Sequence, residues 1–254
     1  MKYLQICSLL IIVIFFSTNL KAQSSSTKPT IILVHGIWAD GSSWSDEIAA
    51  LQAKGYDVVS VQNPLTSLAD DVAATKRAID RAPGKVILVA HSWGGYVITQ
   101  AGNDPKVLGL VYIAALVPEV GETLPALSGN AAATELVRYV RPFNGFLYLS
   151  KDGIDHIFGG DLTTKQQGIA YATQLPAAQS LFTDKVENAA WKTKPSWYVV
   201  ATADKAINPD LERFMAKRIK AKTTEIDASH AVILSHPKEI TDLIEAAAVF
   251  PYQQ

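Results

Sequence analysis

Cysteine is almost missing from this chain: Cys7 is the only one among 254 residues. Disulfides within the chain and zinc sites built on two or four cysteines are thereby excluded. A surplus of one charge is missing too. Twenty-three basic residues stand against 24 acidic ones, which gives no electrostatic footprint for a nucleic acid or an anionic membrane surface. No set of histidines and carboxylates has metal-ligand spacing, and no glycine-rich phosphate loop or internal repeat is present. The sequence therefore implies neither a metal nor another cofactor.

Long apolar runs are scarce as well, and the one that exists lies at the front. Lys2 precedes the stretch Ile6 to Phe16, and a polar, small-residue region ending in Leu20-Lys21-Ala22 follows it. That layout is a secretory signal peptide over residues 1–22, with Gln23 as the mature start and an uncleaved anchor as the alternative. No small-residue lipobox precedes Cys7, so no lipid anchor is expected. Without Lys2 and Lys21 the remainder carries 21 basic and 24 acidic side chains, a formal −3. The expected product is a cysteine-free periplasmic or secreted protein without stable membrane association. Ser24-Ser25-Ser26-Thr27-Lys28-Pro29 reads as a short polar leader.

What is there is a rhythm of apolar strands and amphipathic helices. Strands are predicted at about 30–35, 57–61, 85–90, 107–113, 195–201 and 222–227. Helices are predicted near Trp44–Lys54, ended by Gly55, then Leu68–Arg81, Gly94–Asn103, Pro209–Lys220 and Lys238–Ala248. Strands apolar on both faces and alternating with helices imply a mostly parallel sheet covered on both sides, in one domain. From Pro118 to about Trp191 the alternation stops, and a segment this long inside such a core reads as a helical cap after the fourth strand. Phe143, Phe146, Tyr148, Phe158, Tyr171 and Phe182 would supply apolar walls, and Gln174 could aim its amide at a substrate.

The chemistry is concentrated at strand ends. Ala90-His91-Ser92-Trp93-Gly94-Gly95 follows the apolar run Val86-Ile87-Leu88-Val89. Small residues two before and two after a serine, at a strand-to-helix turn, are what a nucleophile elbow needs, because the strand and helix must pass closely there. A serine hydroxyl becomes nucleophilic only when a base takes its proton. Asp204 lies just beyond Trp197-Tyr198-Val199-Val200, and His230 follows the last strand candidate. Ser92 as nucleophile, His230 as proton shuttle and Asp204 as orienting acid stand in the order Ser, Asp, His. Glycine at Gly36, after the strand Ile31–Val34, lets backbone N–H groups face the site. Ile37 and Trp93 are the expected oxyanion donors. Glu119 is the rival acid, Asp227 a poorer one, and His236 the runner-up base. His35, His91 and His156 read as structural.

Val34-His35-Gly36-Ile37-Trp38, the elbow, Ala201-Thr202-Ala203-Asp204 and Ser229-His230-Ala231 together resemble the α/β-hydrolases. The similar branch contains small bacterial esterases, plant methyl-ester esterases and hydroxynitrile lyases. The resemblance implies an α/β-hydrolase fold and a serine esterase acting on small to medium esters through an acyl-enzyme. Lyases of that branch carry threonine after the first-strand histidine and lysine after the catalytic one. Gly36 and Ala231 stand here instead, which favours the esterase. A perhydrolase-type reaction, with peroxide in place of water, and a binding-only homologue are the alternatives.

Overall fold

The computed structural model describes residues 28–252. The signal-peptide reading and most of the polar leader lie outside them. Strands β1 (Thr30–Val34), β2 (Val58–Val61), β3 (Val86–His91) and β4 (Val107–Ile113) come first, each within about a residue of its predicted position. The chain then enters an insertion holding β5 (Val140–Phe143), β6 (Phe146–Leu149) and β7 (Ala177–Ala178), and returns through β8 (Ser196–Ala201) and β9 (Lys222–Ile226). The main sheet has the order β2-β1-β3-β4-β8-β9, and each neighbouring pair is parallel. β1, β3 and β8 are buried along their whole length, while β9, at the edge, carries Lys222, Thr223, Thr224 and Glu225 to solvent. That difference follows from position, since only a central parallel strand has both faces covered.

Helices α1 (Ser45–Ala53), α2 (Leu68–Arg81) and α3 (Gly94–Ala101) match their predicted spans closely. Ser67 caps α2 by accepting from the Asp70 amide, and Gly55 ends α1 at φ +79°. The helices Pro209–Arg218 and Pro237–Ala248 complete the layers. Two apolar clusters result, one on each face of the sheet. Each Val, Leu or Ile buried there contributes on the order of 1.5–3 kcal/mol.

The insertion between β4 and β8 is not wholly helical. Its short helices, including α4 (Leu124–Ser128), are joined by an antiparallel three-stranded sheet, β5-β6-β7. Asn144 and Gly145 turn the β5–β6 hairpin, both at positive φ. These strands are only two to four residues long, too short for an alternation pattern to announce them. No helix among the described residues is long and apolar enough to cross a membrane.

Register fixes where the site can be. Val34 pairs with Ala90, His91 with Ile113, Ile113 with Val199, and Ala201 with Ile226. All the parallel strands therefore end at one rim. The turns after β1, β3, β8 and β9 converge there, and a crevice at the carboxyl ends of strands is where such sheets bind ligands.

Candidate active site

Ser92 leaves β3 at φ +55°, a left-handed conformation that is strained for a residue with a side chain. Neighbouring backbone holds it there. Its carbonyl accepts from Gly95 N and Leu116 N, both at 3.0 Å. The two glycines of the elbow are required by contact. A Cβ on Gly94 would lie 2.5 Å from the Val34 carbonyl, and one on Gly95 would lie 2.0 Å from the Leu116 carbonyl. Gly36 is equally tight, since a Cβ there would meet Ser92 Cβ at 2.5 Å.

Three of the predicted residues meet at this turn. His230 Nε2 lies 2.9 Å from Ser92 Oγ, and His230 Nδ1 lies 2.6 Å from Asp204 Oδ2. A proton on Nδ1, donated to the carboxylate, leaves Nε2 free to accept from the serine hydroxyl. Asp204 Oδ1 accepts from the amides of Ala206 at 2.6 Å and Ile207 at 2.9 Å. All three residues are buried, with Ser92 6 % exposed. Trp93 follows the serine directly and Ile37 lines the cavity that Ser92 faces; the N–H group of neither is taken up by a backbone acceptor among the described residues.

The surrounding shell is built from residues on several elements. His91 donates from Nε2 to the His230 carbonyl at 2.8 Å, and the two rings lie 4.7 Å apart. Burial, together with the neighbouring imidazole, holds His91 well below the usual imidazole range. It is neutral, and its donation fixes the start of the His230 loop. His35 donates from Nδ1 to the Gly36 carbonyl and accepts at Nε2 from Asn63 N, which braces the turn before Ile37. Burial lowers its pKa also. Trp93 stacks on Tyr96 and donates its indole N–H to Asp71 at 2.9 Å. Asp71, on the buried side of α2, is pushed up to about 6, chiefly by desolvation. From the insertion, Phe158 sets its ring edge against His230 and its carbonyl accepts from Ala231 N. Asp161 accepts from the Ser229 amide and hydroxyl.

A cavity of about 290 Å³ opens over Ser92 and His230. Ile37, Trp38, Leu116 and Leu211 line it together with Leu124, Leu136 and Phe182 of the insertion. No Asp, Glu, Lys or Arg lines it among the described residues. Of the six cap aromatics expected as walls, Phe182 lines the cavity and Phe158 abuts His230; Phe143 and Tyr171 face solvent instead. Gln174 does not point at substrate. Its amide is consumed by both backbone groups of Leu149 and by the Tyr171 carbonyl, which fastens the small sheet.

The rival residues lie elsewhere. Glu119 is half-exposed and paired with Lys192 at 2.5 Å. Asp227 meets Thr202 Oγ1 at the surface, and His236 Nδ1 contacts Ser235 Oγ. His156 is exposed beside Asp155, which pairs with Lys151. Asp71 and Asp161 were not singled out in the sequence. The first carried a signal: it falls on the same helical face as Leu68, Val72 and Ile79, where an acid is out of place. No group of three or more His, Cys, Asp or Glu among the described residues could hold a metal ion.

Residues 31–243 match the model of the alpha/beta hydrolase family. The chain is 26% identical to the probable hydrolase R7 of Phoma sp. over 87% of this chain and 99% of that one. It is 24% identical to the esterase PIR7B of Oryza sativa subsp. japonica, over 87% and 96% of the two chains. The crystal structure of a pyrethroid hydrolase from Sphingobium faniae superposes with a TM-score of 0.75 at 20% identity, covering 88% of this chain and 98% of that one. The chain belongs to the alpha/beta hydrolase family.

Proposed function

We propose that this hydrolase cleaves small to medium carboxylic esters through an acyl-enzyme, with Ser92, His230 and Asp204 as its catalytic triad. The observation that carries the reading is the continuous hydrogen-bonded chain from Ser92 Oγ through His230 to Asp204, at 2.9 and 2.6 Å, at the base of an apolar cavity. His230 Nε2 takes the serine proton as Oγ adds to the ester carbonyl. The Ile37 and Trp93 amides receive the oxyanion. The imidazolium, held by the Asp204 charge, then protonates the leaving alcohol, and a water activated by the same nitrogen releases the acid.

The cavity supports the substrate range. A space of about 290 Å³ without charged walls suits a neutral ester with an apolar arm and disfavours an ionised one. The esterase and pyrethroid hydrolase relatives are in keeping with this. With residues 1–22 read as an export leader, the enzyme acts in the periplasm or outside the cell.

The test is p-nitrophenyl butyrate hydrolysis by the chain from Gln23 and by its Ser92→Ala variant. Turnover should fall by several orders of magnitude in the variant. Turnover kept by Ser92→Ala would overturn the mechanism.

A further inference from the structure

Behind the Asp204 carboxylate lies a second acid that the triad does not use. Glu212 sits on the buried face of the helix Pro209–Arg218 and is completely inaccessible to solvent. Its Oε2 accepts from Ala201 N, at the end of β8, at 2.9 Å. Its Oε1 meets no N–H or O–H donor among the described residues. Asp204 is its neighbour: both acids are tied to Ala201, Glu212 through the Ala201 amide and Asp204 through its own amide, which donates to the Ala201 carbonyl at 3.2 Å, and the Asp204 charge acts on the Glu212 carboxyl.

Among the described residues no lysine or arginine is hydrogen-bonded to either acid. Arg213, next along the helix, turns outward to Asp210 and Glu225. Besides His230, which already engages Asp204, Tyr198 faces the pair and donates its hydroxyl to the Ala115 carbonyl at 2.6 Å. Two buried carboxylates side by side cannot both be ionised. The donors decide which one carries the charge. Asp204 receives Ala206 N, Ile207 N and His230 Nδ1, whereas Glu212 receives Ala201 N alone.

We infer that Glu212 is a protonated positioning residue, which donates a hydrogen bond to the Asp204 carboxylate and holds it in register with His230. This rests on the reading of Asp204 as the triad acid. Burial first, and then the neighbouring Asp204 charge, raise the Glu212 pKa well above the usual carboxylate range, in keeping with that state. The arrangement gives the carboxylate a fourth donor without a permanent charge of opposite sign. A cation in that place would draw the Asp204 charge away from the imidazolium.

Two substitutions separate this role from simple packing. Gln copies a protonated Glu, because it has one oxygen to accept from Ala201 N and an N–H to donate to Asp204. Leu fills similar space and can do neither. Glu212→Leu should lower kcat roughly tenfold or more with little change in KM, the scale at which outer partners of site residues act. Glu212→Gln should rescue most of that loss. The downfield proton signal of His230 Nδ1–H should shift in the Leu variant and return in the Gln variant. Equal kcat in folded Glu212→Leu and the parent would overturn the inference.

Should the Leu variant not fold, the infrared difference between the parent and Glu212→Gln at about pH 8 decides. The carbonyl stretch of an un-ionised carboxylic acid supports the inference, and a carboxylate band in its place refutes it. Failure here leaves Ser92→Ala inactive, whereas failure of the esterase reading leaves Ser92→Ala turning over, so the two are distinguishable.

Discussion

Glu47 offers a measurable consequence of folding an acid into an apolar place. It lies on α1, is fully buried, and neither carboxylate oxygen reaches a hydrogen-bond partner among the described residues. Desolvation pushes its pKa from 4.5 up to about 8. Between those values the folded protein binds a proton that the unfolded chain has released, so stability falls as pH rises. The loss begins near pH 4.5, reaches about 3 kcal/mol at pH 7, and levels off near 5 kcal/mol above pH 8, at about 1.36 kcal/mol per unit. Asp71, pushed up to about 6, adds a decline of its own at lower pH, so only a difference between two proteins isolates Glu47. Glu47→Met keeps the length and helix propensity of the side chain and removes the charge. Its urea midpoint should exceed that of the parent by more than about 1 M at pH 8, with slopes of roughly 2 kcal/mol per M. The gap should narrow steadily toward pH 4.5. Parallel midpoint curves for the two proteins between pH 5 and 8 would refute the reasoning.

Two further outcomes test the elbow and the clamp over it. Gly95→Ala sets a methyl 2.0 Å from the Leu116 carbonyl, which cannot retreat because Leu116 N is tied to Ser92 and Val117 N to Met215 Sδ. Overpacking of about 1–3 kcal/mol should lower the melting temperature by several degrees and abolish most turnover; a variant that melts and turns over like the parent would contradict the contact. Asp161→Ala releases the Ser229 amide and hydroxyl beside His230. It should reduce kcat by roughly tenfold while KM stays near its value, with partial recovery in Asp161→Asn, which keeps one acceptor. A change in KM alone would assign Asp161 to the cap pocket rather than to the histidine loop.

The sheet was legible because its central strands are apolar on both faces and punctuated by turn residues, as Val86–Ala90 before Ser92 illustrates. The three residues of the hydrogen-bonded chain were legible because each lies within four residues of a strand end, Ser92 after β3, Asp204 after β8 and His230 after β9. The small sheet β5-β6-β7 was not, because half-exposed strands of two to four residues carry no period. The buried acids were hidden by another effect. Glu47 follows Trp44 by three residues, Asp71 follows Leu68 by three, and Glu212 precedes Met215 by three, so each occupies an inward position of its helix. Reading only apolar residues for amphipathicity passes over an acid on that face, although its presence there is the more informative sign. Cavity walls were the least legible part. Phe182, which lines the cavity, and Phe143, which faces solvent, are both aromatic residues of the insertion, and only the fold tells them apart.

β4 and β8 lie side by side and run the same way, so the chain has to travel back from one rim of the sheet to the other whatever else it does. That obligatory return has become the roof of the cavity. Each doubling of its length costs only about 0.6 kcal/mol in closure entropy, so a lineage can trade one roof for another within a single stretch of gene. The strands beneath, and the three residues that follow them, need not change with it. One clause restricts the trade: Phe158 and Asp161 grip the loop that carries His230, and any successor has to bring an equivalent grip with it.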